Sequence, residues 1–235
     1  MPRHARALFP GVPHHVTQRG NHRATVFFEQ SDGVAYLRLL RKQSDRHSIE
    51  IVAYCLMPNH VHLVLVPMDA SGLHQALRAV HGQFARRINR MRERIGHLWQ
   101  DRYFSSPLDS SYFMNAVRYV ELNPVRAGFV ARAEDYAWSS ASAHCGSAED
   151  PVVGHRPRSV LFNRIEDWSH WLKSGLTQEC LDKLRSHGRQ NLPCGSPSFV
   201  DELGARAGRP LQFRPHGRPA KAVEKERVSA PFLKR

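Results

Sequence analysis

Hydrophobic positions along this chain alternate between two periods, and the alternation sets out an order of elements. "HHVTQRG" (14–20) reads as a short strand ending at Gly20. After "TVFFEQSDG", with Asp32 as a candidate N-cap, Val34, Ala35, Leu37 and Leu40 fall on one face at the helical period. "IEIVAYCL" (49–56) is β-branched and apolar, "MPN" supplies turn formers at Pro58 and Asn59, and "HVHLVLV" (60–66) returns, so the two runs predict a hairpin. Ser71 opens a helix over 73–94, with Leu73, Leu77, Val80, Phe84, Ile88 and Met91 spaced by threes and fours. "HLWQDRYFSSPL" (97–108) reads as a further strand, and "SSYFMNAVRYVELNP" (110–124) as a helix capped by Ser110 or Ser111 and stopped at Pro124.

The order is β-α-β-β-α-β-α. Its first six elements follow the ferredoxin-like order, which predicts an α+β fold with two helices on one face of an antiparallel sheet. The seventh element, an extra helix, could cover part of the other face. Beyond Asp135 the chain turns rich in Ser, Ala, Gly and Pro, which places a boundary within 140–158. The expected divisions are a main domain over 1–145, a linker over 146–158, a small helical extension over 159–204 and a flexible basic tail over 205–235. Helices are expected around "IEDWSHWL", "LTQECLDKL" and "FVDELGARAG".

Charge changes this picture. The 235 residues hold 34 Lys+Arg against 21 Asp+Glu, a net of +13, which makes nucleic acid the first partner to expect. From Ala205 onward nine Lys/Arg face two Glu. No apolar run approaches the ~20 residues of a spanning helix, and "MPRHARALFPG" lacks a secretory signal, so a cytoplasmic protein with no membrane partner is expected. The four cysteines, at 55, 145, 180 and 194, include no C-x-x-C pair. For DNA contact the candidates are Arg86, Arg87 and Arg90 on the long helix, Arg102, and Arg218 and Lys221 in the tail. Trp99, Tyr103 and Phe104 are candidates for base stacking, with core packing the expected fate of at least two of them.

Against this background the pair in "MPNHVHLVLVP" stands out. Strand side chains alternate, so His60 and His62 share a face, roughly 7 Å apart at Cα, within reach of one metal ion. By itself H-x-H is a weak motif, equally suited to a half-solvated sheet face. The helix over 110–122 adds Tyr119 and Asn123, one turn apart. The amide oxygen of Asn123 suits Mg²⁺ or Mn²⁺ beside imidazoles. Glu121 is a better ligand chemically but sits near the opposite side of the helix, and so ranks below Asn123. Tyr112, seven residues before Tyr119, is a second tyrosine on the same face.

"MPNHVHLVLV", "LWQDRYF" and "RYVELNPVRAG", in this order and spacing, resemble the REP-associated tyrosine transposases, a branch of the single-tyrosine HUH endonucleases. The resemblance spans residues 10–145. It implies a ferredoxin-like catalytic domain that cuts single-stranded or hairpin DNA through a 5′-phosphotyrosine, at repetitive extragenic palindromes. It further implies His60, His62 and Asn123 as ligands of Mg²⁺ or Mn²⁺, and Tyr119 as nucleophile. Relatives include homodimers that share the tyrosine helix and forms that act as monomers. The alternatives are a non-catalytic DNA-binding regulator on the same fold and a metal-dependent phosphodiesterase using water.

Overall fold

The computed structural model describes residues 6–69, 71–153 and 165–212. Four strands, β1 (His14–Arg19), β2 (Ile49–Met57), β3 (His60–Pro67) and β4 (Phe104–Pro107), form one antiparallel sheet in the order β2-β3-β1-β4. Helices α1 (Gln30–Arg46) and α2 (Gly72–Met91) lie between β1 and β2 and between β3 and β4, so the expected ferredoxin-like order is the observed one. The sheet is two-sided. Val16, Leu63, Leu65, Tyr54 and Leu56 meet α1 and α2 through Tyr36, Leu40, Leu77, Val80 and Phe84. Ala53, Cys55, Met57 and Val64 meet α3 (Ser110–Glu121) through Phe113, Ala116, Val117, Tyr119 and Val120.

A bulge lets β2 serve both faces. Its pairing with β3 shifts register between Ile51 and Ala53. Before the shift Ile49 and Ile51 belong to the α1/α2 side; after it Tyr54 and Leu56 do, with Val52 and Ala53 both on the α3 side. One extra residue reverses which parity faces which core.

Several sequence expectations are corrected at element ends. Asp32 is not the N-cap of α1. It stands three residues inside, where its carboxylate accepts from the backbone N–H of Phe28 and Glu29 while Glu29 serves as cap, a reciprocal capping box. The buried stripe of α1 runs through Gly33, Tyr36 and Leu40, and Val34 is exposed. Ser71 does not cap α2 with its side chain; Asp69 Oδ1 accepts from the N–H groups of Ser71 and Gly72 instead. Met91 ends α2 on the exposed side. The strand expected over 97–108 shrinks to β4: Trp99 keeps an isolated antiparallel bridge to Gly20, and the Trp99 and Tyr103 side chains bury in the α1/α2 core. Asp109, rather than Ser110 or Ser111, caps α3 by accepting from Ser111 N and Tyr112 N.

After α3 come the single turns α4 (Asn123–Arg126) and α5 (Ala141–His144), then α6 (Trp168–Lys173), α7 (Gln178–Gln190) and α8 (Pro197–Ala207). Trp168, Leu172, Cys180, Leu184 and Cys194 join the core beneath α3. The same segments close both sheet edges. Leu56 N donates to Trp138 O and Ser140 N to Tyr54 O along β2, while Cys194 N donates to Pro107 O and Asp109 N to Cys194 O beside β4. Covering edge strands in this way removes templates for aggregation. Residues 154–164 and 213–235 lie outside the described residues, and with them part of the expected linker, most of the basic tail, Arg218 and Lys221. Among the described residues no helix is long and apolar enough to cross a membrane.

Candidate active site

The β1–β3 register sets the site's floor. Thr17 pairs with His62, Arg19 with His60 and His15 with Val64, so His15, Thr17, Arg19, His60 and His62 rise from one face, the α3 side. Beyond β1 the chain must turn sharply. Gly20 N donates to Asn59 O, and a Cβ at Gly20 would stand 2.2 Å from Ala24 O, so only glycine fits where this turn meets the β2–β3 hairpin.

Over this floor α3 places Tyr119, buried at 7% exposure. Its ring lies edge-on to His62 and to His15, with centroids 5.5 Å away in each case. His60 and His62 are themselves 4.9 Å apart and nearly perpendicular. The helix that carries the tyrosine therefore docks on the face that carries the histidines. Tyr112 faces α7 instead, its ring beneath Lys183 Nζ at 4.6 Å.

Burial decides the protonation of this floor. It holds His15 and His60 down at about 4, with Arg126 adding to the effect at His15 and Arg19 at His60. His62 is pushed well below its ordinary range by burial, then by His60 and His15. All three imidazoles are neutral at pH 7 and keep a nitrogen lone pair. His60 Nδ1 lies 2.6 Å from Asn59 Oδ1, and an amide oxygen only accepts, so the His60 proton is on Nδ1 and its Nε2 carries the lone pair.

Asn123 stands one turn beyond Tyr119, at the start of α4, and its buried side-chain nitrogen has no hydrogen-bond partner among the described residues. A half-turn of the amide puts its oxygen in that orphaned position. Two neutral imidazoles and an unpartnered amide suit a divalent cation such as Mg²⁺ or Mn²⁺. Among the described residues no three His, Cys, Asp or Glu side chains gather as a metal cage.

Glu121 points elsewhere. It is fully buried, accepting from Ser140 Oγ and His144 Nδ1 on one oxygen and from Trp168 Nε1 on the other. Three residues at the site were missed in the sequence. His15 sits in a run of two histidines, one on each face, and only the register shows which one turns inward. Arg126 places its guanidinium 4.2 Å over the Tyr119 ring while donating to Tyr119 O, and Arg19 also interacts electrostatically with Tyr119. These two cations are placed to offset negative charge on the phenol oxygen or an arriving phosphate. The seven-residue spacing from Tyr119 to Arg126, two helical turns, was the available signal.

The DNA-contact candidates are dispersed. Arg86, Arg87 and Arg90 are exposed on α2, across the sheet from Tyr119, and Arg87 and Arg90 line a groove between α1 and α2 with Arg38. Arg102 borders a separate groove of about 660 Å³ with Arg6, Arg78, His74 and Trp99. Trp99 and Tyr103 are core residues and Phe104 is half-buried.

Residues 10–123 match the family model described as Transposase IS200 like. A Haemophilus influenzae protein described as a REP-associated tyrosine transposase is 28% identical over 122 residues, 47% of this chain and 69% of that relative. Among solved structures, a REP-associated tyrosine transposase bound to a REP hairpin superposes with a TM-score of 0.54 at 19% identity, covering 68% of this chain and 100% of that one. A protein from Deinococcus radiodurans described as a transposase gives 0.35 at 22% identity over 51% of this chain and 96% of its own. The matched residues 10–123 fall within the stretch that carries the resemblance seen in the sequence, and the hairpin-bound structure shares the fold.

Proposed function

We propose that this protein, whose residues 10–123 match the IS200-like transposase family model, cleaves and rejoins single-stranded or hairpin DNA of repetitive palindromes, using Tyr119 as nucleophile. The observation that carries this reading is the edge-on seating of Tyr119 over His62 at 5.5 Å, with His60 beside it.

The Tyr119 oxygen attacks the scissile phosphorus. An O–P bond forms, the bond from phosphorus to the 3′ oxygen breaks, and the strand leaves a 3′-OH while the 5′ phosphate stays on tyrosine. The phenol gives up one proton and the departing 3′ oxygen takes one up, so the step is proton-neutral overall. Attack by a 3′-OH on the phosphotyrosine reverses the step and rejoins DNA without a further energy source. His60, His62 and Asn123 would hold Mg²⁺ or Mn²⁺, which supplies Lewis-acid stabilisation of charge on the phosphate. Arg126 and Arg19 offset negative charge from the other side.

The test is covalent capture. A labelled REP-type hairpin with Mn²⁺ should become attached to the wild-type protein. Tyr119→Phe should lower the adduct by roughly 10³-fold or more, the scale of removing a nucleophile, with the thermal midpoint little changed. Tyr112→Phe should leave the adduct intact. Loss in Tyr112→Phe alone would move the chemistry to the other tyrosine, and cleavage surviving Tyr119→Phe but not His60→Ala would mark a water-using phosphodiesterase.

A further inference from the structure

We infer that His15 is a positioning residue, whose Nε2 accepts the Nδ1 proton of His62 and so leaves the His62 Nε2 lone pair free to bind a cation. The inference rests on the proposed metal site and names what orients one of its ligands.

His15 Nε2 lies 3.0 Å from His62 Nδ1. The two rings stack 5.3 Å apart at 10°, and the His15 ring also meets Tyr119 at 5.5 Å and 74°. Two proton placements satisfy the 3.0 Å contact. If His15 donates, His62 accepts on Nδ1 and carries its own proton on Nε2, so neither nitrogen is left for a cation. If His62 donates, its Nε2 holds the lone pair and His15 carries its proton on Nδ1. Only the second gives a ligand. It also matches His60, whose Nδ1 proton goes to Asn59 Oδ1. Each imidazole of the pair then has its Nδ1 anchored by a neighbour and its Nε2 presented, the usual arrangement behind metal-binding histidines.

The cost of His15 supports the assignment. Its Nδ1 is buried without a hydrogen-bond partner among the described residues. His15 pairs with Val64, on a face shared with Ala53 and Cys55, where an apolar side chain would bring no unsatisfied nitrogen of its own. A histidine there is explained by the acceptor it offers His62 and by its contact with Tyr119.

The experiment compares wild-type protein with His15→Leu, His15→Gln and His15→Asn at one pH above 7. In metal-free protein, ¹⁵N NMR should show His62 protonated on Nδ1 in the wild type, a shift toward Nε2 protonation in His15→Leu, and recovery in His15→Gln, whose oxygen reaches where Nε2 stood. Mn²⁺ binding by calorimetry should weaken roughly 10- to 100-fold in His15→Leu and be largely rescued by His15→Gln. If His15→Leu does not fold, His15→Asn, too short to reach His62, takes its place against His15→Gln. An unchanged His62 tautomer, or Mn²⁺ affinity unchanged in His15→Leu yet lost in His60→Ala, overturns the role of His15 and leaves the metal site standing. Mn²⁺ binding that is no tighter in wild type than in His60→Ala removes the metal site, and the tautomer then judges the His15–His62 contact alone.

Discussion

Glu121 shows how little residue type alone settles. It is the strongest ligand in its stretch of sequence, two residues from Tyr119, yet it faces away and serves as a buried anchor. Its carboxylate receives Ser140, His144 and Trp168, which tie α3 to α5 and α6. Glu121→Ala should destabilise the fold by about 3–5 kcal/mol, because it strands three buried donors; urea denaturation measures this, and a loss under about 1 kcal/mol would contradict the anchoring role. Two histidines outside the site behave comparably. Burial drives both His14 and His81 from the ordinary 6.5 to about 3. His14 Nε2 accepts from Phe9 N, and His81 Nε2 shares a hydrogen bond with the Tyr36 hydroxyl. The unfolded chain takes up these protons below pH 6.5 and the folded chain does not. Their contribution is therefore complete above pH 6.5 and is lost as pH falls toward 3, by up to about 1.4 kcal/mol per pH unit for each. Urea midpoints measured from pH 7.5 to pH 4 should fall in that window, and less steeply in His81→Gln.

At the scale of elements, helix ends and strand parity were the hard features to read. Asp69 and Asp109 took the capping roles expected of Ser71 and Ser110 or Ser111, since an Asp just upstream reaches the same orphaned N–H groups and carries a charge that the helix N-terminus favours. Asp109 also accepts from Ser196 N, so one carboxylate fixes the start of α3 and the approach to α8. Asp109→Ala should lower stability by about 1–2 kcal/mol and loosen α8, readable as faster amide exchange over residues 197–207; exchange unchanged there would separate the two roles. The periods themselves were legible. α2 buries Leu73, Leu77, Val80, Phe84 and Ile88 as its spacing predicts. What a single strand could not display was the bulge in β2, or that β1 stands between β3 and β4 and carries His15 to the site. Both are properties of pairing, and local sequence holds no record of the partner.

For the whole molecule, charge and topology act separately. The net +13 predicts salt-sensitive binding to hairpin DNA. With six to ten phosphate contacts, affinity should drop on the order of 10³-fold or more between 50 and 200 mM salt; a flat response would remove backbone contact as the source of affinity. The position of the arginines on the fold gives that charge two addresses. Arg19 and Arg126 stand at the tyrosine, while Arg86, Arg87 and Arg90 occupy the far side of the sheet. Substituting the α2 arginines together should weaken hairpin binding more than it slows adduct formation at saturating DNA.

By itself the sequence determined the element order, the ferredoxin-like class, the two apolar periods and the same-face pair His60 and His62, because each depends on spacing within one segment. It also ranked Tyr119 with Asn123 ahead of Glu121, since a helix face follows from 3.6 residues per turn. Only the tertiary structure decided that α3 packs over the histidines, that His15 and Arg126 complete the surroundings of Tyr119, and that Glu121 is spent on α5 and α6. Those facts belong to contacts between segments far apart in the chain, where geometry is set by sheet register and core packing rather than by neighbours in sequence.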